Sequence, residues 1–337
     1  MNPRLLLVLL AATGLSACAG DGRAAPEILA HDFPALSLQP GDELNFVCQS
    51  WTLGNDEPLY VSSLQVAGGP GWHHSNWLYA DEGEFPGPDG TWDCAERGFS
   101  LVDAGLSGGV LFSQSVEAEA DGLVLAPGEA VVIPAHAKII AEVHLLNAGD
   151  AAMTTHMHAE LGLVPADQVG AVLRPLALSY YPLELPPMSA SEFTAACDLA
   201  QVQGGALDFA IHFVQPHYHA MGTGMRIESY RRGGGSSLIY QTDQRIGTPM
   251  GATLTPAVDL AGADGIRFTC SYTNYETEPV GYDSSEKGEM CVMFALTDSP
   301  MRWIGGVLPD TDTVPIASTT DSAIQSFTGD CQVFALE

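Results

Sequence analysis

Two groups of side chains in this sequence have the types and spacing of metal ligands. His217 and His219 stand two apart in QPHYHAMG (215–222), and Met290 follows in KGEMCVMFAL (287–296). The first half holds an adjacent pair, His73 and His74, in GWHHSNW (71–77), and His144 in KIIAEVHLLNAG (138–149). Two imidazoles with a thioether suit copper, because the soft sulfur stabilises Cu(I). Three imidazoles without sulfur make a second, different site. Two unlike copper sites, with two ions per chain, point to redox chemistry rather than storage.

On a strand, the His217-x-His219 spacing places both rings on one face, roughly 6–7 Å apart at the backbone. Met290 opens an alternating run with Val292 and Phe294 on its face, and Met293 is a competing thioether on the opposite face. His73 and His74 would face opposite ways on a regular strand, so both can reach one ion only at a bend, which Gly71 permits. A buried His144 must be hydrogen-bonded or ligated. Taken singly, Met290 reads as a core methionine and His144 as a satisfied core histidine; the grouping is what favours ligation. His156 and His158 share the HxH spacing, which would allow a further site or a substitute for one of the three first-half ligands, but read more readily as structural or surface groups. His212 reads as core, and His31 and His136 carry no signal of their own.

The elements that must position these groups are strands. The chain has 337 residues, 46% of them apolar, with 36 glycines, 22 prolines and no long helical pattern. This favours an all-β protein. Two strands are expected around Pro40-Gly41, and three more in GVLFSQSV, AVVIP and KIIAEVHLL, with turns at GPDG (87–90) and LAPGE (125–129). The second half adds ALDFAIHFV (206–214), a hairpin over 224–243 around three glycines, GIRFTCSYTNYE (265–276) and EMCVMFAL (289–296). A short helix is expected around 191–201. The proline-rich stretch 175–191 reads as an extended interdomain linker whose apolar content packs against something. The expected architecture is two antiparallel, jelly-roll-like β-sandwich domains in tandem, over 31–180 and 181–337.

The N-terminus reads as a signal peptide over 1–17: Arg4 precedes the apolar LLLVLLAA (5–12), and Leu15-Ser16-Ala17-Cys18 resembles a bacterial lipobox. Cys18 would carry the lipid, and 18–30 would be a tether. That places the protein on the bacterial envelope, held to the outer membrane through the anchor alone. Six cysteines remain, Cys48, Cys94, Cys197, Cys270, Cys291 and Cys331, and an even number in an exported chain implies disulfides. Spacing does not choose their pairing. A formal charge of −29, with Lys138 and Lys287 the only lysines, argues against nucleic acid and against charge-driven docking on anionic lipid. Cationic or neutral small substrates remain compatible.

On the residues above, the chain resembles the copper type II, ascorbate-dependent monooxygenase family. Its members pair two β-sandwich domains, each holding one copper site at a cleft. His73, His74 and His144 match the first domain's ligands in order; His217, His219 and Met290-Cys291 match the second's. The resemblance spans roughly 40–335 and lies in ligand order rather than in the sequence between ligands. It implies a Cys270–Cys291 bridge, with Cys48–Cys94 and Cys197–Cys331 as the accompanying pairs. It also implies hydroxylation of an activated C–H bond of a small molecule, using O2 and an external reductant such as ascorbate. His217, His219 and Met290 would hold the oxygen-reactive copper, and His73, His74 and His144 the electron-storing one. Where peptide-acting members place an Arg, an Asn and a Tyr on the substrate carboxylate, this chain has Gln215, Val292 and Phe294, so a non-peptide substrate is expected. Val292, Phe294 and Tyr218 suggest an apolar or aromatic one. Ser75 follows the HH pair where a methionine is usual. The alternative is a non-catalytic copper-binding envelope lipoprotein that buffers or delivers metal; a third reading is a binding module that has kept the fold and dropped the chemistry.

Overall fold

The computed structural model describes residues 27–101, 104–105, 108–114, 120–245, 248–283, 288–309, 314–315 and 324–336. The expected signal peptide, Cys18 and most of the tether lie outside the described residues. Among the described residues no helix is long and apolar enough to cross a membrane.

The protein is all-β, with sheets arranged as sandwiches. A five-stranded sheet runs in the order Gly90–Asp93, Glu43–Thr52, Lys138–Leu146, Trp72–Ala80, Gly109–Gln114. A six-stranded sheet in the second half runs Ser236–Thr242, Gly222–Tyr230, Gly265–Asn274, Ser189–Cys197, Ile324–Asp330, Val314–Pro315. Between them lies an eleven-stranded sheet built from both halves, whose main path is Glu27–Asp32, Met157–Leu163, Leu59–Gly68, Glu129–Ile133, Ala171–Tyr180, Val292–Thr297, Ala210–His217, Ala252–Asp259.

The central strands of that large sheet are buried on both faces, which is why they read as almost unbroken apolar runs. Their side chains alternate between two cores. Ile211, Val214, Met293 and Trp303 pack with Phe193, Phe268 and Tyr272 against the six-stranded sheet. Phe213, Phe294 and Leu296 point the other way, into the first-half core with Trp77, Phe112, Leu64 and Leu161. Each of these three side chains is almost fully buried. Burial of one such side chain stabilises by about 1.5–3 kcal/mol, so together they resist parting of the halves by several kcal/mol.

The stretch 175–191 is therefore more than a tether. Its first part lies in the strand Ala171–Tyr180, which pairs with Val292–Thr297 on one side and runs parallel to Glu129–Ile133 and Arg302–Val307. The helix expected around 191–201 is mostly absent. Ser189–Cys197 is a strand, hydrogen-bonded to Gly265–Asn274 and to Ile324–Asp330, with Ser191, Phe193, Ala195 and Cys197 inward. The period-2 pattern and two flanking strands override the helix propensity of its alanines. Helix survives only at Leu199–Gln203, where the Asp198 carboxylate accepts from the Gln201 N–H at 2.9 Å. The hairpin around three glycines forms, pairing Gly222–Tyr230 with Ser236–Thr242.

Three disulfides join Cys48 to Cys94, Cys197 to Cys331 and Cys270 to Cys291. Cys270–Cys291 is the bridge that the family resemblance implied, and the other two are the pairs expected alongside it.

One buried acid opposes folding. Asp121 is 8% exposed, its Oδ1 accepts from the Gly122 N–H at 2.8 Å, and its Oδ2 has no partner among the described residues. Burial pushes its carboxyl up to about 6. A folded-state value above the unfolded one means that stability falls as pH rises between the two. Asp121→Asn is therefore expected to stabilise the protein by about 1–3 kcal/mol near pH 8, with the gain shrinking toward about pH 4.5. Urea midpoints at the two pH values check this; an equal gain at both would exclude a buried charge as the cause.

Candidate metal centre

The first ligand set sits on two neighbouring strands of the five-stranded sheet. His144 pairs with His74, but the next pair is Leu145 with Trp72, which leaves His73 as the extra residue of a β-bulge. A bulge re-aims side chains locally. It answers the difficulty posed by adjacent histidines: His73 and His74 turn toward one point instead of opposite faces. Gly71, at φ +80°, enters this turn, and a Cβ there would press on Met153 Sδ and the Leu146 carbonyl. The ligand atoms of His73, His74 and His144 lie within 4.8 Å of one another. Ser75, at the departure from the HHM pattern, donates to Gln114 Oε1 at 2.9 Å and accepts from the Trp77 indole at 2.9 Å.

The second set closes the end of the large sheet. His217 is the last residue of its strand, opposite Val292. His219 follows in a turn closed by Gly222 N–H to the His219 carbonyl at 3.0 Å. A Cβ at Gly222 would lie 2.0 Å from the Tyr218 ring, so this turn needs glycine. Met290 stands just before Val292–Thr297. Tyr272 donates its hydroxyl to the Met290 carbonyl at 2.6 Å, and the Cys270–Cys291 bridge fixes the next residue. His217 Nε2 and Met290 Sδ converge to 3.3 Å.

The donor set fits copper. His74, His144, His217, His219 and Met290 are all buried, and His73 is half-buried. Burial, reinforced by neighbouring histidines, holds the imidazoles of His74 and His217 well below their ordinary range and lowers His144. His219 is lowered to about 4, chiefly by burial. All four are therefore neutral, the form that ligates metal. Hydrogen bonds on the outer nitrogens fix which atom points inward. His219 Nδ1–H donates to the Gly288 carbonyl at 3.0 Å, and His144 Nε2 faces Glu43 Oε1 at 3.1 Å. That leaves His219 Nε2 and His144 Nδ1 buried without a partner among the described residues, as is His217 Nδ1. Buried polar atoms of this kind are rare unless something absent from the polypeptide satisfies them.

A cavity of about 110 Å³ opens beside the second set, at the junction of the two halves. His217 and Met290 line it, with Val292, Phe294, Leu78, Ile304 and the tyrosines Tyr181 and Tyr282. Its polar wall is Asn76, Ser113 and Ser179. Behind that wall Ser113 donates to Asn76 Oδ1 at 2.5 Å, and Asn76 donates to Glu142 Oε2 at 2.7 Å. Burial raises the Glu142 carboxyl above its ordinary value. A larger concavity of about 760 Å³, lined by Tyr60, Leu125 and Pro165, contains none of the ligands.

Sequence reasoning named the six candidate ligands, Val292 and Phe294, and the structure brings them together. Tyr218, expected beside the substrate, is instead fully buried in the second-half core, where its hydroxyl donates to the Gln244 carbonyl at 2.5 Å. Gln215 is also fully buried, opposite Phe294. Asn76, Tyr181, Tyr282 and Glu142 were missed; alternation from His74 to Asn76 and from Glu142 to His144 was the available signal. His158 lies elsewhere, between Asp32 Oδ1 at 2.7 Å and Glu160 Oε1 at 3.2 Å, which raise its pKa. His156 is exposed. His212 sits between Glu129 Oε1 at 2.6 Å and Asp298 Oδ2 at 3.4 Å. His31 stacks on Trp51, and His136 is 3.6 Å from Asp56.

Solved structures with a similar outline include the major capsid protein P2 of bacteriophage PM2, at 9% identity over 81% of this chain and 99% of that one, with a TM-score of 0.33. The PBSX exported protein XepA is another, at 10% identity, 80% and 86% coverage, and a TM-score of 0.22. At such scores neither carries an argument. No curated protein matches the chain. Residues 176–297 match the family model described as copper type II ascorbate-dependent monooxygenase, C-terminal domain. That span holds His217, His219, Met290 and the Cys270–Cys291 bridge, while His73, His74 and His144 lie outside it. Over those residues the chain is similar to the C-terminal domain of the copper type II ascorbate-dependent monooxygenase family.

Proposed function

We propose that this protein is a copper-dependent monooxygenase that hydroxylates a C–H bond of a neutral, largely apolar small molecule, using O2 and an external reductant such as ascorbate. One observation carries the substrate class: the cavity that reaches His217 and Met290 has no charged group among its described lining residues. His73, His74 and His144 would hold one copper, and His217, His219 and Met290 the other. Copper, when bound, supplies the one-electron chemistry that reduction of O2 requires.

The chain's own residues do the rest. Val292, Phe294, Leu78 and Ile304 exclude water from the reacting bond. Asn76, held between Ser113 and Glu142, presents a fixed polar edge that orients a substrate hydroxyl or carbonyl. Among the described residues a substrate carboxylate meets no cation here, because Val292 and Phe294 line the wall and Gln215 is buried behind it.

The test uses copper-loaded protein with ascorbate, labelled O2 and a panel of neutral aromatic, neutral aliphatic, cationic and carboxylate-bearing compounds. One labelled oxygen atom is expected in a hydroxylated neutral product, with loss of turnover after chelation. Product formed only from the carboxylate-bearing members would overturn the substrate class. Retained copper with no turnover on any member would favour a metal carrier.

A further inference from the structure

The two ligand sets do not face each other across an open gap. Within the first set, the ring centres of His73, His74 and His144 lie 5.0, 4.7 and 4.9 Å apart, and within the second His217 and His219 lie 5.2 Å apart. Between the sets the spacings are almost the same: His74 is 5.6 Å from His217 and 5.4 Å from His219, and His73 is 6.3 Å from His219. The five imidazoles form one cluster, with His74 touching members of both sets.

The framework around the cluster holds this arrangement. The large sheet crosses the junction without a break, through the parallel pairing of Glu129–Ile133 with Ala171–Tyr180. Phe213, Phe294 and Leu296 are seated in the first-half core. His212 of the second half bonds Glu129 of the first at 2.6 Å. Arg302 donates to the Gly108 carbonyl, and the Thr253 hydroxyl donates to the Val124 carbonyl. The cavity beside Met290 stays in place in this closed arrangement.

We infer that this protein holds its two copper ions in a single closed five-histidine cluster, near enough for direct magnetic interaction, and that His74 is the wall the two sites share. The inference rests on the ligand assignment proposed above and adds the relation between the sites. The continuous sheet, the shared core and the hydrogen bonds across the junction hold the two sets together, so the short separation is a resting property of the chain.

Electron paramagnetic resonance of the Cu(II)-loaded full chain tests it, with copper counted per chain. At two equivalents a dipolar-broadened spectrum with a half-field transition is expected; as copper is lowered below one equivalent the half-field signal is expected to fall faster than the main signal. The double substitution His217→Ala/His219→Ala is expected to keep one copper and lose the half-field signal. Two copper ions giving two undistorted mononuclear spectra would overturn the inference, and turnover in that same sample would leave the monooxygenase reading standing. A half-field transition without turnover would support the cluster and count against the monooxygenase. Copper bound by neither set would overturn both.

Discussion

Met290→Ile is expected to lower ascorbate-supported turnover at least about 100-fold while leaving the fold intact, since removal of groups that hold or tune a metal typically costs 10–100-fold or more. The two halves of that expectation have separate causes. Met290 is 8% exposed, so an apolar side chain of similar volume meets the packing demand. Such swaps usually cost less than about 1.5 kcal/mol. What isoleucine lacks is the sulfur that lies 3.3 Å from His217 Nε2. Met293→Ile is the matched control. Met293 is fully buried in the second-half core, in the strand Val292–Thr297 that follows Met290, so its replacement is expected to leave copper binding and turnover unchanged. Copper content, turnover and urea midpoints on the two variants give the answer. Full activity in Met290→Ile, or an equal loss in both, would remove Met290 from the ligand set.

The family comparison reaches only the half of the chain that carries Met290. For the first set the structure itself must speak, and there the register matters most. The adjacency of His73 and His74 was visible in the sequence, but the bulge that makes them converge depends on pairing with a strand about seventy residues away, as the Leu145–Trp72 partnership shows. No local pattern encodes that offset. The central strands posed a related difficulty. VMFALT and AIHFVQPH announce burial but, lacking alternation, do not say which side chain enters which core. Only the assembled sheet sends Phe294 to one core and Met293 to the other. Ser189–Cys197 misled for the opposite reason: its alanines favour helix locally, and the two flanking strands decide otherwise. What was legible was chemistry that needs few contacts to state: two histidines at strand spacing, a thioether at a strand start and cysteines in even number.

A second substitution separates the ligands from the residue that sets their positions. Glu289 is 1% exposed. Its Oε2 accepts the His219 N–H at 2.8 Å, and its Oε1 accepts the Met221 N–H at 2.6 Å. Its own backbone is bonded on both sides, N–H to the Gly281 carbonyl at 3.0 Å and carbonyl to the Asp283 N–H at 3.2 Å. The carboxylate thus ties the turn that carries His219 to the segment that carries Met290, its immediate neighbour. Glu289→Ala frees two buried N–H donors and opens a cavity, with an expected cost of about 3–5 kcal/mol. Copper affinity at His217, His219 and Met290 is expected to fall about 10–100-fold, as for other groups that orient ligands. Glu289→Gln keeps the shape and one acceptor but turns an amide N–H₂ toward a donor, so it should lie between Ala and wild type in both measures. Copper titration reads this directly: His73, His74 and His144 should still take one ion in Glu289→Ala. Equal weakening of both sites would mean that the substitution loosens the whole junction. Undiminished affinity at both, in a protein already destabilised by several kcal/mol, would mean that the turn holds His219 without Glu289. The graded series distinguishes these because a general loss of stability and a local loss of ligand position need not follow the same order across Glu, Gln and Ala.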